Sequence, residues 1–243
     1  MSPIPPRNGR QGHRARAAAL REQQARAKRR RRLLTVLAAT VAVLAIIAGI
    51  TIALFSTGDG SRSGPGTAED AGIPTAPMMT ASGRTTNPPW DAPAEPAARV
   101  AAAGLPMLGG EGMVEHIHVH LDVIVDGKPV EVPANIGVDV PVQQMSPLHT
   151  HEANGVIHVE SPVKAAFSLG QFMTEWDVAL TQESIGGLKA EGGTSLRPYI
   201  NGKPHTGNPA ALEFDDHDEI AIVYGPADQK VDVPSSYDWQ EDE

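Results

Sequence analysis

His116-Ile117-His118-Val119-His120-Leu121-Asp122, together with Leu148-His149-Thr150-His151-Glu152 and its continuation Val156-Ile157-His158-Val159-Glu160, holds six of the nine histidines in the chain. Successive side chains of a strand point to opposite faces. Read as a strand, the first stretch therefore has one apolar face, Ile117, Val119 and Leu121, and one face of histidines running to Asp122. The second stretch reads as a His-Thr-His loop entering a strand. There His158 and Glu160 share a face, and Ile157 and Val159 share the other.

Imidazole is the commonest protein metal ligand, so these faces predict a metal site. Strand residues i and i+2 lie about 6.5–7 Å apart and can bind one ion with bonds of roughly 2.0–2.1 Å. Residues i and i+4 are about 13 Å apart, which makes His116 the weakest candidate beside His120. The expected ligands are His118, His120, His149, His151 and His158 on one divalent ion, with zinc or copper the best matches. Asp122 and Glu160 are expected to orient imidazoles from behind. Such a site is expected to lose its ion below about pH 6, where histidine takes up protons. The plainer alternative is a solvated strand face of histidines with His158 hydrogen-bonded in the core.

Outward from the motifs, the 243 residues divide by composition and charge. Residues 1–32 carry eleven Arg or Lys against the single acid Glu22, while residues 56–243 carry an excess of acids, for a net charge of −9. Between them 33–55 is an uncharged apolar run. At 1.5 Å per residue it spans about 35 Å, enough for a hydrocarbon core of roughly 30 Å. Lys28 to Arg32 abut its start, so the N-terminus is expected in the cytoplasm and the C-terminal domain outside the membrane. Membrane lipid is the partner expected for the basic tail, rather than nucleic acid. An apolar run of this length without an A-x-A-like site predicts an uncleaved anchor rather than a signal peptide.

Residues 56–98, rich in Gly, Pro, Ser and Thr, lack hydrophobic periodicity and read as a disordered stalk. Ala94–Ala103 reads as a short helix ended by Gly104-Leu105-Pro106. A chain beginning near Ala94 is accordingly expected to fold. Residues 99–230 form the predicted histidine-rich domain, and 231–243 an acidic flexible tail. With no cysteine, disulfides, thiolate sites and cysteine nucleophiles are excluded.

Within the domain, Asp126-Gly127 and Asn201-Gly202 predict two-residue hairpins with type I′ turns. Glu219–Tyr224 reads as a strand buried on both faces. Ser168-Leu-Gly-Gln171 is a capping box opening a helix with Leu169, Phe172, Met173, Trp176 and Leu180 at helical spacing. The fold class expected is mainly β (α+β), a small sandwich or barrel-like domain with one covering helix.

His-x-His-x-His-Leu-Asp, followed by Asp-Gly-Lys, Val-Pro-Ala-Asn-Ile-Gly and Leu-His-Thr-His-Glu-x-x-Gly-Val-Ile-His-Val-Glu-Ser-Pro, resembles a family of uncharacterised single-pass bacterial membrane proteins. The likeness runs from about Gly104 to Tyr237 and implies an extracytoplasmic domain on one anchor. A cupin pattern fits less well: it places glutamate three or four residues after His-x-His, whereas Glu152 follows His151 directly and Glu160 lies nine residues on. No Walker loop, dinucleotide-binding glycine pattern, nucleophile elbow or His-Glu-x-x-His helix is present.

Three functions stay open from the sequence. The leading one is a membrane-tethered module that holds a transition metal through clustered histidines. A metal-dependent envelope enzyme would add an open coordination position, with Glu152 or Glu160 as general base. A metal-free interaction domain would leave the histidines as surface groups, its protein partner unspecified.

Overall fold

The computed structural model describes residues 67–240. The basic tail 1–32, the expected anchor 33–55, the first part of the stalk and residues 241–243 lie outside the described residues. Among the described residues no helix is long and apolar enough to cross a membrane.

The alternation of His116–Asp122 produces the longest strand, β1 (Glu115–Val125), at the centre of a seven-stranded mixed sheet. Along one side of β1 runs β11 (Glu219–Pro226), parallel, with His120 opposite Glu219 and Leu121 opposite Ile220. The other side is divided. β6 (Val156–Ser161) pairs antiparallel with residues 115–120, and the short β2 (Lys128–Val130) returns along residues 123–125. β5 (Leu148–His149) closes one edge on β6. β9 (Thr194–Ile200) and β10 (Lys203–Pro204) extend the other edge from β11. Two small hairpins stand apart: β3 (Val138–Asp139) with β4 (Gln144–Met145), and β7 (Ser184–Ile185) with β8 (Leu188–Lys189). The mainly β class is as the sequence predicts, realised as one open path of strands, β10 to β5.

Both predicted turns form. Asp126 and Gly127 have φ of 52° and 75°, and Asn201 and Gly202 have 51° and 73°. Positive φ at both central residues is the type I′ signature, whose twist matches the strands it joins.

Opposed residues share a face, so register sorts the side chains. Val119, Leu121, Val123, Leu148, Ile157, Val159, Ile220 and Ile222 form one apolar face, all buried. The second helix, α2 (Leu169–Glu175), belongs to the same core, capped by Ser168 as predicted. It stops at Trp176, earlier than the apolar stripe suggests. Val178 and Leu180 continue in extended chain and bridge to Arg84 and Ala81.

Every residue of α2 is buried, so a second layer covers its outer side. That layer is made by residues assigned to a disordered stalk, and the expectation fails over 67–98. Ile73 and Trp90 are 1% and 2% exposed. Trp90 packs edge-on against Trp176 with centroids 5.8 Å apart, and Trp176 Nε1 donates to the Trp90 carbonyl. Arg84 and Arg99 both pair with Asp177. α1 (Pro96–Ala102), the predicted short helix, adds Val100 to the core. Gly170 is required at the crossing, because a Cβ there would lie 2.6–2.8 Å from the carbonyl oxygens of Ala210, Met78 and Thr80. Sparse anchors, spaced without period along a Pro-rich chain, escape pattern-based reading.

The C-terminal segment is likewise ordered through Gln240. Gln229 accepts from Arg197 Nη1, Tyr237 stacks on His120 and Trp239 packs on His217. The flexible-tail expectation therefore fails for 231–240, where Tyr237 and Trp239 pack on these histidines and on each other.

These contacts extend the folded domain N-terminally from Ala94 to include at least Ile73. Trp90→Ala is expected to cost about 3–5 kcal/mol, as other buried Trp truncations do. A chain starting at Ala94 should melt well below one starting at Thr67 in thermal denaturation. Equal melting temperatures would show that residues 67–93 add no stability.

Candidate metal centre

The second face of β1 carries the histidines, and the register decides which of them meet. His118 opposes His158 on β6, which opposes His149 on β5; His116 opposes Glu160. Three histidines thus form a row across three strands. His151 folds back beside them, two residues beyond His149.

That return is built by Thr150. Its Oγ1 donates to the Pro133 carbonyl and accepts from the Ile136 amide, while its own amide donates to the Ile136 carbonyl. The 133–137 loop lies so close that a Cβ on Gly137 would sit 2.3 Å from the Leu148 carbonyl oxygen. Its φ of 73° also favours glycine.

Within the cluster, His118 Nε2 lies 3.1 Å from His158 Nδ1, and His149 Nε2 lies 3.1 Å from His151 Nε2. Glu160 stands between the pairs. Its Oε1 is 3.5 Å from both His116 Nε2 and His158 Nδ1, and its Oε2 is 3.7 Å from His149 Nε2. Two donors on one tetrahedral ion with bonds of about 2.05 Å are about 3.3 Å apart. The observed spacings bracket that value, so these His and Glu groups are close enough to hold a metal ion.

Hydrogen bonding fixes one tautomer outright. His149 Nδ1 is 2.9 Å from the Ser146 carbonyl oxygen, which can only accept, so Nδ1 carries the proton. Neutral His149 then presents an Nε2 lone pair to His151 and Glu160, the arrangement by which a backbone carbonyl orients a metal-binding imidazole. In the ion-free protein His151 Nε2–H donates to that lone pair. The Glu160 Oε2 atom is buried and has no hydrogen-bond partner. A carboxylate oxygen accepts only, so this position calls for a cation or a proton.

Charge follows the same geometry. Burial, then repulsion from His151, lowers the pKa of His149 to about 4. Burial also lowers that of His151, with His158 adding repulsion. Burial opposes ionisation of Glu160, but the hydrogen bond from His158 and the charges of His149 and His116 outweigh it and hold the group below the ordinary carboxylate value.

Beneath His149, Ser146 Oγ donates to Glu175 Oε1 at 2.6 Å and accepts from the Leu148 amide. Burial pushes the Glu175 carboxyl well above the usual range, against the lowering effect of the Ser146 hydroxyl. No sequence signal marked Glu175 as part of this support.

His120 and Asp122 do not join the cluster. β6 ends opposite His120 at Val156, where β11 begins with Glu219, so the neighbour of His120 on this face is a carboxylate. His120 Nε2 donates to the Asn154 carbonyl, and Nδ1 lies 2.9 Å from Glu219 Oε2. One proton therefore lies between Nδ1 and the carboxylate. Burial opposes charge on His120, yet the Glu219 hydrogen bond and charge raise its pKa overall; burial raises that of Glu219. His120, Asp122 and Glu219 make a separate triplet of donor atoms within 4.8 Å.

The expected ligand set is thus regrouped. His118, His149, His151 and His158 come together, His120 and Asp122 stand aside, and His116 joins through Glu160. Glu160 faces the histidine nitrogens directly instead of standing behind them. Comparison of the chain with protein-family models, with curated proteins and with solved structures finds no match.

The low pKa of His149 gives the ion-free chain a defined pH response. Unfolded histidine takes a proton near 6.5 and folded His149 not until about 4, so the unfolded state binds more protons between those values. Stability must fall as pH drops from 6.5 to 4, by up to roughly 3 kcal/mol from this residue. His149→Asn, which keeps a donor toward Ser146, should flatten that decline in urea unfolding measured across the window. An unchanged slope would contradict the assignment.

Proposed function

We propose that this domain holds a transition metal, zinc or copper, through His116, His118, His149, His151, His158 and Glu160, and that the 33–55 segment tethers it to a membrane with the domain outside. The observation that carries the reading is the pairing of a buried, partnerless Glu160 Oε2 with the Nε2 lone pair of His149 at 3.7 Å. A buried carboxylate oxygen without a hydrogen-bond partner, facing an imidazole nitrogen whose lone pair only a neighbouring histidine fills, is costly without a cation. The all-nitrogen-and-oxygen donor set suits zinc(II) and copper(II). Two clefts along the β1–β2 hairpin, lined by Asp122 to Pro129 with Gln229 to Asp232 and by Pro88, Pro89 and Val125 to Glu131, include no residue of the cluster. The basic tail and acidic remainder of the chain support the tether and its orientation.

Full-length chain stripped with chelator should bind zinc(II) or copper(II) in calorimetry and gain melting temperature, since the ion meets its ligands only in the folded state. His149→Ala and His151→Ala should weaken binding at least tenfold, while His205→Ala leaves it unchanged. Because His149 and His151 resist protonation, binding should persist at pH 6, lower than unperturbed histidines permit. Equal affinity in all three variants would overturn the proposal.

A further inference from the structure

We infer that the centre is built for two ions, bridged by Glu160. This rests on the metal-holding reading and specifies its nuclearity. The donor atoms converge as two triplets, His116–His118–Glu160 and His149–His151–Glu160, each within 4.8 Å, and the residue common to both is Glu160. Its two oxygens face different partners. Oε1 is 3.5 Å from His116 Nε2 and His158 Nδ1, and Oε2 is 3.7 Å from His149 Nε2. The short imidazole contacts fall one to each side, His118 with His158 and His149 with His151, at 3.1 Å each.

One ion does not fit this division. Trans donors on a six-coordinate ion with bonds of about 2.1 Å lie about 4.2 Å apart, so a single ion would draw all the donors into one group. A carboxylate that gives one oxygen to each of two ions holds them about 3.5–4 Å apart, the spacing of two-metal sites. The first ion then has His116, His118 and Glu160 Oε1, with His158 Nδ1, 3.1 Å from His118 Nε2 and 3.5 Å from Glu160 Oε1, as its nearest further donor. The second has His149, His151 and Glu160 Oε2, three protein ligands that leave one position for water or an outside donor. His151 is exposed, so that position opens to solvent. Two dications exceed the charge of one carboxylate, and Glu111 and Glu152, whose charges act on His151, offset part of the excess.

The test is copper(II) titration of chelator-stripped full chain, followed by equilibrium dialysis with elemental analysis and by electron paramagnetic resonance. Two ions per chain are expected. The signal should grow through the first equivalent, then stop growing or shrink through the second as the bridged pair couples. Zinc(II) should bind with the same stoichiometry of two. Glu160→Gln, checked for folding by circular dichroism, should abolish the coupling. His120→Asn with Glu219→Gln removes the separate triplet and should leave both ions and the coupling in place. No bound ion would overturn the metal reading itself. One tight ion, two ions with full uncoupled intensity, or loss of the second ion in the His120/Glu219 variant would each overturn the bridge and leave that reading intact.

Discussion

The register between β1, β6 and β5 is the constraint on which the rest depends. Side chains alternate along a strand, so one pairing fixes two faces at once. The same alignment that stacks Val119, Ile157, Val159 and Leu148 into the core lines up His118, His158 and His149 on the other side. A slip of one residue would turn the histidines into the apolar core and the core side chains away from it. Burial of the apolar face therefore determines the histidine row, and the row needs no specific attraction between imidazoles, which repel one another when charged. Burial first, and that repulsion after it, lowers the pKa values of His149 and His151.

The polar groups around the row add a second level of order. Thr150 ties the His149–His151 turn to the 133–137 loop. Ser146 holds His149 in one tautomer while leaning on Glu175, a core carboxyl whose ionisation burial opposes. These bonds cost side-chain freedom and buried polarity, and they leave the Nε2 of His149 and one oxygen of Glu160 facing the cluster. The groups so held are close enough to hold a metal ion, and fixing them by hydrogen bonds suits that role better than it maximises stability.

Much of this was legible in the sequence because it is periodic or local. Alternation gave β1 and β6, Asp126-Gly127 and Asn201-Gly202 gave the turns, and Ser168 with Gln171 gave the start of α2. What escaped depends on which strands become neighbours. His120 and His118 look equivalent along β1, and only the end of β6 at Val156 and the arrival of Glu219 on β11 separate them. Glu160 shares a face with His158 in any strand reading, but its place among the nitrogens follows from its pairing with His116. Residues 67–93 carry no period at all, and their order comes from isolated anchors, Ile73, Arg84 and Trp90, that find partners on α2 and beyond.

The most direct measurement is a proton–nitrogen correlation spectrum of the histidine side chains in ¹⁵N-labelled, ion-free full chain, repeated after zinc(II) is added. His149 should appear as the Nδ1–H tautomer at pH 7, and zinc should shift its Nε2 resonance while Nδ1 keeps its proton. An Nε2–H tautomer in the ion-free chain, or a spectrum in which zinc moves none of the nitrogens of His149, His151 and His158, would contradict a centre built on that lone pair.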